Sequence, residues 1–507
     1  MLSEGGVVLD KVKIAVIDNG VVEKVLRQPL EYRVYIDDTN CCVIDNEHMD
    51  LLGFIHGTIC AMIIENNFSE CMLSSVKILN DDGIGKVDKL KIALDWCYQN
   101  NIFLVNLSLG VTHFQDRTSI RDVINHYANR GMVIVAASAN DGYKTYPASF
   151  SNVIGIAAGD VFKIDINLQK HIGVDFIVPS DHEIVLRGNP FKVGNSNSYA
   201  APYVTAMIGK YFEKKSYSNV YTIRRELSSK EDFVYYPDWI EIAWVSKRCE
   251  QSREEYYFEE VSGELEGCLS VIDTIIVNNK EEFKKYCKLD KHMVYLGQEP
   301  IEYRTLDRYF WCRKQRVKQI VGSRKREAEI GIPVIICKFS ENQDSIYWLS
   351  ELRKYFAKDG YNMFTVSSKV ESVLYDLEFL PEELCNKSNR EDVYNFLYWQ
   401  TYYCQSDALL MEIDDKKEYD INVLEKAVDM IIVVKTVAGM VKIDIYCDGN
   451  MEVRETINCL VNRPNSSKFC SVIRSSDNVR NNSLSSPNAS ANPLIFLSFS
   501  DVIKSVI

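Results

Sequence analysis

Apolar residues in the N-terminal part of the chain fall into short, nearly continuous runs separated by longer stretches of helical periodicity. Lys11 to Asp18 is one such run, and Ile102 to Ser108 and Met132 to Ser138 are others. A strand that is apolar at nearly every position, rather than at alternate ones, is expected where both of its faces are covered, as in a parallel sheet between two helical layers. Val87, Leu90, Ala93, Leu94 and Cys97 mark one face of a helix over 87–99, and 56–66 and 118–129 also read as helices. Leu73 to Leu79, Val153 to Ala158, Val161 to Ile166 and Phe176 to Val178 supply further strands, with a long helix from Ser198 to Lys214. Strand and helix alternating at short spacing predict a doubly wound α/β fold with a mostly parallel sheet.

After residue 215 the pattern changes. Residues 216–249 are mixed, and Glu254 to Glu260 form an acidic, aromatic bridge. The expected organisation is a first domain over 1–250, a second α/β domain over 265–462 and a Ser/Asn-rich tail over 463–507. In the second domain Leu269 to Val277 and Met293 to Leu296 read as strands around a helix at 280–288. A further unit opens with Ile332 to Cys337, continues through a helix at 345–358 and returns as Tyr361 to Val366, with later strands at 409–413, 430–435 and 441–446. That layout resembles P-loop nucleotide-binding domains, with Lys338 to Ser345 where the phosphate loop would lie. A phosphate cradle needs glycines so that N–H groups converge, and a lysine for the charge; this stretch has no glycine and no closing Lys-Ser/Thr, and Glu341 and Asp344 would repel phosphate. A degenerate, non-hydrolysing unit without a cofactor is expected. Residues 462–492 are expected to be disordered. The apolar stripe of Ile495, Phe499, Val502, Ile503 and Val506 is expected to dock on its own protein.

Composition narrows the chemistry. A formal net charge of -13 and a pI near 5.2 argue against nucleic acid, whose phosphates need a basic surface. Arg313 to Arg316 and Arg324 to Arg326 read as solvated faces or linker. Fifteen cysteines, an odd number without a paired framework, predict free thiols in a reducing compartment, and seven dispersed histidines predict no structural metal. Met1 to Asp10 lacks a charged segment followed by an apolar core, and no apolar run is long enough to span a membrane. A cytoplasmic location follows as the expectation.

Three polar stretches carry the candidate chemistry. Asp18-Asn19-Gly20 ends the first apolar strand, His56-Gly57-Thr58 opens an apolar helix, and Ser196-Asn197-Ser198-Tyr199-Ala200-Ala201-Pro202 runs from a loop into a helix. A hydroxyl at a helix start stands beside unpaired N–H groups and the positive end of the helix dipole, which suits an anionic intermediate. These stretches, with Val133 to Gly142 around Asn140 and with Asn106 to Gly110, resemble in order the signatures of the subtilisin-like serine protease (subtilase) family. The resemblance covers about residues 10 to 215. It implies a sheet of subtilisin type and a triad of Asp18, His56 and Ser198, with Asn140 as oxyanion donor and Ser108, Leu109 and Gly110 pairing with bound peptide. Ser196-Asn197 replace the family's Gly-Thr, Asn19 its Ser or Thr, and Ile59 its second histidine. No folding propeptide is expected before Asp18.

The expected function is an intracellular serine endopeptidase acting on a peptide or protein substrate. The second domain weakly resembles proteins of bacterial peptide-maturation systems, which implies trimming of a leader from a ribosomally made precursor. Two other readings compete: a catalytically impaired peptide-binding scaffold on the same fold, and a nucleotide-dependent module driven by the C-terminal half.

Overall fold

The computed structural model describes residues 11–45, 56–113, 116–160, 165–166, 173–186, 188–214, 219–228, 236–247, 249, 252–302, 308–340, 343–384, 388–414, 428–437, 440–447, 455–460 and 472–474. Three sheets account for most of it, and the first is built from β1 (Lys13–Asp18), β2 (Tyr32–Ile36), β3 (Cys42–Ile44), β4 (Met72–Lys77), β5 (Leu104–Leu107), β6 (Val133–Ala137), β7 (Ile154–Ala158), β8 (Asp165–Ile166) and β9 (Phe176–Val178). Its order is β3-β2-β4-β1-β5-β6-β7-β9-β8, parallel except for the edge pairs β2 with β3 and β8 with β9. The helices are α1 (His56–Asn67), α2 (Val87–Gln99), α3 (Arg117–Ala128), α4 (Asn197–Lys214) and α5 (Val220–Ser228), and a hairpin of β10 (Glu183–Leu186) and β11 (Asn189–Lys192) precedes α4.

Alternation along β1 explains its unbroken apolar run. Ile14 and Val16 face α1 and α4, in a core with Ala61, Ile64, Ala200 and Val204, whereas Ala15 and Ile17 face α2 and α3, with Leu94, Cys97, Ile120 and Ile124. Both faces are therefore dry, and the middle of the strand, Ile14 to Ile17, is apolar throughout. Ala200 and Ala201 are fully buried, which lets α4 lie close against the sheet.

The second sheet contains β12 (Ile242–Val245), β13 (Glu259–Glu260), β14 (Thr274–Val277), β15 (His292–Tyr295) and β16 (Phe310–Cys312), all parallel in the order β13-β12-β14-β15-β16. This is the 2-1-3-4-5 doubly wound order. Because β12 pairs with β14, the boundary expected at residue 250 falls inside this sheet. The strand expected from Leu269 instead begins at Thr274, after the short helix α6 (Leu265–Cys268); α7 (Lys280–Tyr286) follows β14.

The third sheet takes β17 (Val334–Phe339), β18 (Met363–Ser367), β19 (Glu378–Phe379), β20 (Ala408–Asp414), β21 (Met430–Val437), β22 (Met440–Cys447), β23 (Glu455–Leu460) and β24 (Val472–Arg474), in the order β19-β18-β20-β17-β21-β22-β23-β24. It is parallel as far as β21 and antiparallel beyond. Its helices are α8 (Arg313–Val321), α9 (Ser345–Lys358) and α10 (Arg390–Tyr403). One core runs from the second sheet into the third, from Val245 and Ile276 through Trp311 to Ile335 and Leu410.

Two expectations change here. The basic cluster at 313–316 lies on α8 and is not a solvated face: Arg316 is buried and bonds Glu378, and Arg313 pairs with Glu383. At the start of α9, where a phosphate would bind, the chain supplies its own anion. Asp344 accepts from the Tyr347 N–H at 3.1 Å, from Ser252 Oγ at 2.6 Å and from the Arg253 N–H at 2.7 Å. Residue 341 and the apolar stripe at 494–507 lie outside the described residues.

Candidate active site

The carboxyl ends of β1, β5 and β6 are neighbours in the sheet, with Ile17 opposite Leu107 and Leu107 opposite Ala136. Asp18, Ser108 and the turn carrying Asn140 therefore share one edge, the place where sites form in open α/β sheets.

Asp18 is buried and held by its neighbours. The Asn19 N–H donates to its Oδ1 at 2.8 Å, and His56 Nδ1 lies 2.9 Å from its Oδ2. The seat of the histidine is built residue by residue. The Gly57 N–H donates to Asn19 Oδ1 at 3.0 Å, so asparagine in place of Ser or Thr ties the α1 start to the end of β1. A Cβ on Gly57 would stand 2.5 Å from the Gly20 carbonyl oxygen and 2.9 Å from Asp18 Cβ, so only glycine fits. Thr58 Oγ1 accepts from the Val22 N–H at 2.9 Å.

Ser198 sits in the first turn of α4, half-buried. Its Oγ is turned to the Ser108 carbonyl, 3.4 Å away. Pro202 has no N–H to give to the Ser198 carbonyl four residues before it, so that oxygen takes Ser108 Oγ as donor at 2.7 Å, with Cys60 Sγ at 3.6 Å. Ser108 Oγ in turn accepts from Asn106 Nδ2 at 3.1 Å, and Asn106 Oδ1 accepts from Thr205 Oγ1 at 3.0 Å. A buried polar chain thus fixes the serine from below.

Asn140 is exposed at the turn after β6. Its Oδ1 accepts from the Asn197 N–H at 2.9 Å, which identifies the oxygen and leaves Nδ2 as the donating end. Asn197 is a tie point: its Nδ2 donates to Ser138 O, Ser138 Oγ and Ala139 O at 3.1, 3.0 and 2.8 Å, and its Oδ1 accepts from the Ala158 N–H at 2.7 Å. Ser196 Oγ accepts from the Ser198 N–H at 3.3 Å and stands 3.5 Å from Asn140 Oδ1. Ser108 to Gly110 continue from β5. Leu109 packs on the α2 and α3 core, and Gly110 lies so close to Thr145 that a Cβ would be 2.5 Å from its Cγ2.

Sequence reasoning missed Cys60 and Tyr199. The Tyr199 ring lies 5.4 Å from the His56 ring, and Cys60 Sγ comes within 4.8 Å of the nearest donor atoms of Asp18 and His56. These three donors are a poor cation cage. Asp18 and His56 already bond each other, and burial, reinforced by the Asp18 charge, pushes the Cys60 thiol well up and keeps it protonated.

The subtilase family pattern matches residues 10–232. Minor extracellular protease Epr of Bacillus subtilis is 27% identical over 231 residues, 44% of this chain and 35% of that protein. Subtilisin BL of Lederbergia lenta is 29% identical over 162 residues, 31% of this chain and 59% of that protein, and M-protease of Shouchella clausii is 29% identical over 162 residues, 31% and 42% of the two chains. The chain thus spans between about a third and three fifths of the length of these relatives. Among solved structures, Sphericase aligns at 19% identity over 45% of this chain and 88% of that one, with a TM-score of 0.36. A cold adapted subtilisin-like serine proteinase aligns at 19% identity over 42% and 79%, with a TM-score of 0.34. Residues 10–232 are a subtilase-family domain.

Proposed function

We propose that this chain is a serine endopeptidase in which Ser198 is the nucleophile, His56 the general base and Asp18 the residue that holds the imidazole. The observation that carries the reading is the buried Asp18 bonded to His56 Nδ1 at 2.9 Å, on the sheet edge that also bears Ser198 and Asn140. In the reaction the Ser198 hydroxyl turns from the Ser108 carbonyl toward His56 Nε2, gives up its proton there and attacks the peptide carbonyl. Asn140 Nδ2 and the Ser198 N–H receive the oxyanion, and the latter first leaves Ser196 Oγ. His56 returns the proton to the leaving amine, and water then releases the acyl group by the same steps. The run Ser108 to Gly110, which passes from the buried Ser108 to the exposed Gly110, is proposed to pair with the substrate backbone.

The finer reading is a peptide-maturation protease of a reducing, cytoplasmic compartment, whose C-terminal half holds a precursor and so raises the effective concentration of its scissile segment. The odd number of cysteines and the buried thiols of Cys60, Cys71, Cys97 and Cys337 support the compartment. Among the described residues no helix is long and apolar enough to cross a membrane. The peptide-binding scaffold remains the second reading because Ser198 Oγ faces the Ser108 carbonyl and Ser196 Oγ holds the Ser198 N–H. A fluorophosphonate probe separates the two: the full-length wild type is expected to label and Ser198→Ala to remain unlabelled. An unlabelled wild type that still binds peptide would establish the scaffold instead.

A further inference from the structure

The turn bearing Asn140 is held at its far end by a helix that lies outside the subtilase-family domain. Within the turn, the Ala139 N–H donates to Thr145 Oγ1 at 2.7 Å, so Thr145 closes the loop directly beside Asn140. The next residue back, Lys144, makes two bonds to the last turn of α10. Its main-chain N–H donates to the Tyr403 carbonyl at 2.8 Å, and its Nζ donates to Gln400 Oε1 at 3.0 Å. The Tyr143 ring meets the Tyr402 ring at 5.5 Å.

The end of α10 calls for such a partner. The last carbonyls of a helix have no intrahelical donor, and its negative end favours a cation. Lys144 supplies an N–H and a charge from one residue. The helix itself is fixed: Trp399 Nε1 donates to the Arg324 carbonyl at 2.9 Å, and Asn395 Oδ1 accepts from the Arg326 N–H at 3.0 Å. The positional tolerance of an oxyanion donor is about 0.5 Å. Asn140 is separated from this anchor only by the Ala139 to Thr145 closure.

We infer that Lys144 is a positioning residue through which the last turn of α10 sets the Asn140 turn and so controls the rate of acyl transfer at Ser198. The inference rests on the reading of Ser198 and Asn140 given above. It makes the C-terminal half a part of the catalytic apparatus for any substrate, including short peptides that have no leader to dock.

The test is a cycle on the full-length enzyme with a short chromogenic peptide. Lys144→Ala and Gln400→Ala are each expected to lower kcat about three- to tenfold, the effect of one hydrogen bond, with KM within about twofold. Gln400→Glu keeps an acceptor for Nζ and is expected to restore the rate. In an Asn140→Ala background, itself slowed about 10²- to 10³-fold, Lys144→Ala is expected to cost almost nothing more, because the donor it positions is gone. A merely structural role would act equally in both backgrounds. Full multiplication of the two losses, or wild-type kcat in Lys144→Ala, would overturn the positioning role while leaving the nucleophile reading intact. Unchanged kcat in Asn140→Ala would overturn both.

Discussion

Around the proposed nucleophile Ser198, the departures from the family signature are structural parts with assignable bonds. Asn197, in place of threonine, ties the serine turn to the ends of β6 and β7 through four hydrogen bonds. Ser196, in place of glycine, adds a hydroxyl that accepts from the Ser198 N–H, the group the oxyanion would need. Removing it exchanges one weak intramolecular bond for none in the resting state, so Ser196→Gly is expected to raise kcat/KM about threefold to tenfold, read with the same chromogenic peptide. An unchanged or lower rate would show that the hydroxyl does not compete. At this scale ordered motifs name Asp18, His56, Ser198 and Asn140, and the structure brings His56 Nδ1 to 2.9 Å from Asp18 Oδ2. The Ser108 bond to the Ser198 carbonyl was legible in principle, since Pro202 leaves the carbonyl four residues earlier without its donor. Cys60 and Tyr199 were not, because nothing in an apolar helix face says which residue will meet a histidine.

Among the elements, the central parallel strands of the first sheet and the helices α1 to α4 were legible from periodicity, for the reason visible in β1: its two faces enter two different cores. The seat of α1 is the most sensitive junction. Gly57→Ala would force a Cβ against the Gly20 carbonyl oxygen and Asp18 Cβ, and overpacking of this kind costs about 1–3 kcal/mol. A thermal melt is expected to show that loss, together with a lower rate as the Asp18 to His56 bond lengthens. The elements that escaped notice are those whose logic is tertiary. The strand β12 is only four residues long, and it belongs to the second sheet through its pairing with β14. The polar sequence of α8 hides a buried Arg316, which is compensated by Glu378 from a distant strand. Residues 316 and 378 carry no local sign that they will meet.

At the level of the whole molecule, the subtilase-family domain is fastened to the C-terminal half by buried charge. Arg117 Nη1 and Arg121 Nη1 reach Asp376 Oδ1 at 2.5 and 2.7 Å, Arg353 bonds the Asp376 carbonyl, and the Arg121 guanidinium lies 4.1 Å from the centre of the Tyr257 ring. Burial acts to raise the Asp376 carboxyl, but the three arginines prevail and hold it at about 2, below its ordinary 3.8. An acid lowered in this way contributes stability that is complete above pH 3.8 and is lost as the pH falls through 2, on the order of 2 kcal/mol. Unfolding followed between pH 5 and 2 is expected to show that slope in the wild type and to lose it in Asp376→Asn. The same variant is expected to be less stable at pH 7 by about 3–5 kcal/mol, since it leaves buried arginines without their anion. The separation of Arg121 from Asp376 along the chain, 255 residues, also sets an order in time. At roughly 5 to 20 residues per second, a ribosome makes Arg121 about 13 to 50 seconds before it makes Asp376, the carboxylate that faces it. For that interval Arg117 and Arg121 lack Asp376, and the Asn140 turn waits for a helix not yet translated. A chain assembled in this sequence completes the support of its Asn140 turn only after α10, at Arg390–Tyr403, has emerged.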